Sequence, residues 1–117
     1  MPAYAPRQQT LMSAVPVSAT GNLVLTATAG PYINSSFQFG QGTVRIGRGA
    51  GCGILLEQDT MVSRCHAEIV WNGSQWVAHD LGSTNGLWVN GVRVTEHVLN
   101  VNDQIGVGQT WLRVERV

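Results

Sequence analysis

The dipeptide Asn-Gly occurs three times in this chain, at Asn72-Gly73, Asn85-Gly86 and Asn90-Gly91. Asn and Gly both tolerate positive φ, which a two-residue hairpin turn demands. Two of the three sit between strand-like runs: Ala67–Trp71 and Gln75–Asp80 flank the first, Leu87–Val89 and Val92–Val94 the third. Further strands are expected at Leu23–Thr28, Phe37–Phe39, Thr43–Ile46, Ile54–Leu56, Gln104–Val107 and Trp111–Val117. Val, Ile and Thr number 15, 5 and 9, the β-branched bias of pleated surfaces. No stretch keeps a helical period of apolar positions. Many short strands broken by turn signals mean an all-β sandwich or barrel.

The 117 residues suffice for one hydrophobic core. Residues 1–22 hold three of the four prolines and a single charge, Arg7, and read as a flexible tail or linker ahead of a folded domain over 23–117. Such a linker suggests a piece of a longer protein. Seven basic residues, all Arg, balance seven acidic ones. That neutrality argues against a nucleic-acid partner, which needs clustered cations, and the absence of Lys excludes a lysine nucleophile. No apolar run approaches the length of a membrane span, and no charged stretch leads into an apolar core as in a signal peptide. The expected setting is cytoplasmic, without direct membrane insertion. Cys52 and Cys65 read as free thiols, with a disulfide possible but not required, and no ligand cluster suggests a metal. Trp71, Trp76, Trp88 and Trp111, in four separate strands, are expected in the core.

Three loops carry the chemistry. Gly47-Arg48 follows one strand, Ser63-Arg64-Cys65-His66 precedes another, and Asp80-Leu81-Gly82-Ser83-Thr84-Asn85-Gly86 joins two more. Together they offer guanidinium, hydroxyl, carboxamide and turn amides without a buried acid–base pair. Donors without acceptors suit an anion, above all a phosphate.

The ordered set Gly47-Arg48, Ser63-x-x-His66, Asn85-Gly86 and Asn90-Gly91 resembles the forkhead-associated (FHA) domain family. Supporting segments are Ile54-Leu55-Leu56, Val62-Ser63-Arg64, Asp80-Leu81-x-Ser83 and Asn102-Asp103-x-Ile105-x-Val107-Gly108. The resemblance implies a β-sandwich of about eleven short, mostly antiparallel strands, whose loops at one end bind phosphothreonine peptides. It implies that Arg48, Ser63 and Arg64 hold the phosphate and that Thr84 and Asn85 contact the peptide. Gly47, His66, Gly86, Asn90 and Gly91 would support the binding loops. Met61 and Leu87 are candidates for peptide selectivity: Met61 stands where charged residues in some relatives select acidic peptides, and Leu87 replaces the usual Thr. Asn102 stands where Gly is common, but Asn tolerates the same left-handed backbone.

The function implied is a phosphothreonine-dependent interaction module, expected to be a monomeric domain with no catalysis, cofactor or metal. Its partner would be a protein phosphorylated by a Ser/Thr kinase. The alternative is the same fold used as a phosphate-independent scaffold. A hydrolase triad of Ser63, His66 and Asp80 is disfavoured because Ser63 and His66 share one short loop and no nucleophile elbow is present. A nucleotide loop at residues 47–53 is disfavoured because no Lys-Ser/Thr follows.

Overall fold

The computed structural model describes residues 22–117, so the expected tail lies outside the described residues but for Asn22. Eleven strands form: β1 (Leu23–Ala29), β2 (Ser36–Phe39), β3 (Thr43–Gly47), β4 (Ile54–Leu55), β5 (Ala67–Trp71), β6 (Trp76–Asp80), β7 (Leu87–Val89), β8 (Val92–Val94), β9 (Glu96–Val98), β10 (Gln104–Val107) and β11 (Thr110–Arg116). They make two sheets, one ordered β2-β1-β11-β10-β7-β8 and the other β4-β3-β5-β6-β9. Only β3 and β4 pair in parallel among these ladders. Among the described residues no helix is long and apolar enough to cross a membrane.

Period-two patterning builds the sandwich. Leu23, Leu25 and Ala27 of β1 and Leu112 and Val114 of β11 alternate inward. Val44, Ile46, Ile69 and Ala78 face them from the other sheet. Each such fully buried aliphatic side chain contributes roughly 1.5–3 kcal/mol relative to exposure.

The tryptophans divide. Trp76 is buried in the core, Trp71 packs at its margin 5.5 Å from it, Trp111 is half-buried and Trp88 is exposed. The expectation of four core tryptophans is therefore corrected: Trp88 and Trp111 flank Gly106 on the outer face of the six-stranded sheet, where Trp111 fills the space a side chain at Gly106 would need. Strand β9 was not expected either. Thr95 alone separates it from β8, yet the two strands belong to different sheets. The Thr95 carbonyl accepts from Asp80 N–H, which turns the chain onto β6 without Gly or Pro to announce the corner.

Asn90 and Gly91 both adopt positive φ, 52° and 84°, as a tight hairpin turn requires. They sit at the far end of β7 from Gly86, so they do not brace the donor loops, contrary to expectation. Asn90 instead ties its turn to the start of β10. Its Nδ2 donates to Asp103 Oδ1 at 2.9 Å, and its Oδ1 accepts from Gln104 N–H at 3.0 Å. Asp103 Oδ2 accepts from Asn100 N–H and pairs with His97 Nε2. Burial pushes the Asp103 carboxyl up, but the bonds from Asn100, Asn90 and His97 outweigh it and hold the group below its ordinary value. A depressed folded value means the contribution is present above the unfolded value near 4 and is lost as pH falls through the folded one. Urea denaturation of Asp103→Asn should show a deficit against wild type at pH 7 that shrinks by pH 3. A deficit independent of pH would exclude a role for the carboxylate charge.

Candidate functional site

At one end of the sandwich, the β3–β4, β4–β5 and β6–β7 loops converge around a single buried imidazole. His66 is 0% exposed although it is polar. Its Nδ1 accepts from Ser63 N–H at 3.0 Å, and its Nε2 lies 2.7 Å from Gly86 O. The first bond requires a bare Nδ1, so the hydrogen is on Nε2 and is donated to Gly86. One ring thus joins the loop carrying Ser63 to the loop carrying Thr84 and Asn85. The backbone continues the lattice: His66 N–H donates to Ile46 O, and Leu81 N–H donates to His66 O.

Arg48 follows β3 directly. Its N–H donates to Ser63 O at 3.1 Å, and its Nε donates to Val62 O. That leaves the four terminal guanidinium N–H groups for a ligand. Gly47 is needed for a close crossing, because a Cβ there would lie 2.8 Å from the Arg64 carbonyl carbon. Ser63 Oγ accepts from Thr84 N–H at 3.1 Å, so its own hydrogen points elsewhere and is available to donate. Asn85 Nδ2 donates to Met61 O at 2.8 Å, which leaves its Oδ1 and one N–H unused. Ser83 closes the β6–β7 loop, accepting at Oγ from Gly86 N–H and donating to Asp80 Oδ1.

The positions singled out in the sequence therefore gather at one end: Arg48, Arg64, Thr84 and Asn85 are exposed, and Ser63 is half-buried. Met61 is 44% exposed beside Asn85. Leu87 does not join them. It is fully buried, pointing into the core from β7, and offers no surface to a peptide. The triad geometry is absent, because His66 meets the Ser63 backbone rather than its hydroxyl and Asp80 is engaged by Ser83. Cys52 and Cys65 are free thiols, with Cys52 Sγ 3.6 Å from Arg64 O.

Two residues of this end were not found by sequence reasoning. Asp59 is 0% exposed. Its Oδ1 accepts from Met61 N–H, and its Oδ2 accepts from Gln109 N–H at 2.9 Å and Thr110 Oγ1 at 2.6 Å. It anchors the β4–β5 loop to β11 across 51 positions, a separation that no local pattern reveals. Arg93 lies over Gly86, whose φ is 88°. Its position on β8 gives no hint of that contact until the strands pair.

Among the described residues four carboxylates pair with Arg45, Arg113, His79 and His97, and exposed Glu57 on the β4–β5 loop pairs with no cation. None lies within 4 Å of Arg48, Arg64 or Arg93, so a neutral chain presents an electropositive, donor-rich end.

The FHA domain family model matches residues 44–108. An oxoglutarate dehydrogenase inhibitor of Corynebacterium jeikeium is 38% identical over 89 residues, covering 76% of this chain and 61% of that protein. The glycogen accumulation regulator GarA of Mycolicibacterium smegmatis is 36% identical over 90 residues, covering 77% of this chain and 56% of that protein. A solved chain described as "Structural and functional analysis of phosphothreonine-dependent FHA domain interactions" superposes with a TM-score of 0.74 at 35% identity, covering 82% of this chain and 97% of that one. The matched region thus spans a little over half the length of the curated relatives.

Removing the imidazole leaves Ser63 N–H and Gly86 O without partners in a buried place, which costs about 1–3 kcal/mol. His66→Ala should lower the thermal midpoint accordingly. An unchanged midpoint would remove His66 from its bracing role.

Proposed function

The chain belongs to the FHA domain family, and from that premise we propose that it is a phosphothreonine-dependent protein–protein interaction module. The observation that carries this reading is the convergence of hydroxyl, guanidinium and amide donors at one end, where the Asp59 and Asp80 carboxylates are turned into the scaffold. A phosphate brings three acceptor oxygens and a charge of about −2, which such a set complements. In this reading Arg48, Ser63 and Arg64 hold the phosphate. Thr84 lines the entry, and Asn85 uses its free Oδ1 and N–H on the peptide backbone. The loops are already tied together by His66 and Asp59, so little ordering opposes binding.

The domain acts by docking, without catalysis or cofactor, and as a monomer. Its partner is a protein modified by a Ser/Thr kinase, in a cytoplasmic setting. A regulatory role for the longer protein, of the kind that the relatives' names describe, is a proposal on the same footing. Of the two selectivity candidates, Met61 alone remains at the surface. Its flexible thioether favours an aliphatic residue at the third position after the phosphothreonine.

Calorimetric titration tests the reading. Arg48→Ala should lose about 2–4 kcal/mol of affinity for a phosphothreonine peptide with its fold intact, since charge-assisted bonds exceed neutral ones. A matched phosphoserine peptide should bind about 1 kcal/mol more weakly, for want of one buried methyl. Equal binding of the unphosphorylated peptide would instead mean a phosphate-independent scaffold.

A further inference from the structure

The phosphate donors do not exhaust the cations at the binding end. Arg93 is exposed on β8, and among the described residues no carboxylate lies within 4 Å of it. Its guanidinium lies close over the Gly86 backbone, with Cζ 2.8 Å from where a Cβ at Gly86 would stand, so the bare glycine leaves it room. Gly86 directly follows Asn85, and its carbonyl is the one held by His66. Across the β7–β8 ladder Arg93 pairs with Trp88, whose indole N–H donates to Asn85 O at 3.0 Å. Trp88 itself is 37% exposed. A guanidinium and an indole are therefore mounted on the two residues that follow Thr84, on rigid strand and turn backbone.

We propose that Arg93, with Trp88 beside it, is a specificity-determining residue that reads an anionic side chain of the bound peptide, a carboxylate or a second phosphate. The proposal rests on the phosphothreonine reading given above. Its position along the peptide follows from chain geometry. Ser63 Oγ is bonded to Thr84 N–H at 3.1 Å, and Gly86 is two residues further on. Consecutive Cα atoms are about 3.8 Å apart, so the Arg93 guanidinium lies within about 16 Å of the Ser63 hydroxyl. An extended peptide advances about 3.3–3.6 Å per residue, so the residue read lies within about five positions of the phosphothreonine. Met61 meets Asn85 from the β4–β5 loop and Arg93 lies over Gly86 from β8, so the aliphatic and the anionic preferences are expected at different peptide positions.

The test is an oriented phosphothreonine library, followed by anisotropy titration of single peptides against wild type and Arg93→Gln. Wild type should enrich Asp or Glu at one position within about five of the phosphothreonine. Relative to Ala there, the acid should tighten binding about two- to fivefold, the range of a solvent-exposed ion pair. That gain should shrink as salt is raised. In Arg93→Gln it should vanish, while affinity for the Ala peptide stays within about twofold. Phosphoserine at the same position separates the two anion sources: a larger gain than Asp, also lost in Arg93→Gln, assigns the site to a doubly phosphorylated peptide. Intact phosphothreonine binding with no acid preference, or with one that persists in Arg93→Gln, overturns this inference alone. Absence of any phosphothreonine-dependent binding by wild type overturns it together with the reading beneath it.

Discussion

Everything at the binding end depends on one imidazole that serves two loops at once. His66 Nδ1 takes the Ser63 amide, and His66 Nε2 gives its hydrogen to the Gly86 carbonyl. A side chain with one acceptor and one donor at opposite corners of a rigid ring suits that bridge; Ser or Asn lacks the reach, and Lys offers only donors. With those two bonds in place, Thr84 N–H reaches Ser63 Oγ and Asn85 reaches Met61 O. The donors left unsatisfied are thus what remains of a lattice that satisfies itself first. Asp59 performs the same service on the other side, holding the β4–β5 loop to β11.

The distribution of charge follows the same division. The chain carries no net charge, yet Glu68, Glu96, Asp103 and Glu115 pair with Arg45, His79, His97 and Arg113, and Asp59 and Asp80 are turned into the scaffold. Arg48 and Arg64 on the loops and Arg93 on β8 are exposed with no carboxylate among the described residues within 4 Å. An electropositive end on a neutral domain favours an anionic group of limited size over an extended polyanion.

Much of this was legible in the sequence where the signal was local. The turns at Asn72-Gly73 and Asn90-Gly91 lie between strands as expected; Gly73, Asn90 and Gly91 take positive φ, whereas Asn72 does not and instead accepts at Oδ1 from Ser74 and Gln75 N–H, and Asn102 adopts a φ of 77°. The all-β sandwich followed from strand patterning joined to the family resemblance. What stayed hidden depended on partners remote in sequence. Strand β9 has no breaker before it, only Thr95 changing sheets. Leu87 stood out because it replaces the usual Thr, but period-two alternation on β7 turns Leu87 inward and Trp88 outward. Asp59 and Arg93 owe their places to β11 and to Gly86, contacts that appear only once the strands pair.

On the proposed reading the donor loops form a phosphate site that exists before the ligand arrives. Amide chemical shifts followed by NMR during titration with a phosphothreonine peptide, against its unphosphorylated twin, test this. The phosphorylated peptide should move the signals of Arg48, Ser63, Arg64, Thr84 and Asn85, the His66 ring signals should show the same Nε2–H form before and after, and the twin should move none of them. Perturbations centred elsewhere on the sandwich, or loop signals that sharpen from exchange-broadened to ordered only on binding, would mean that these loops are not a prebuilt phosphate site.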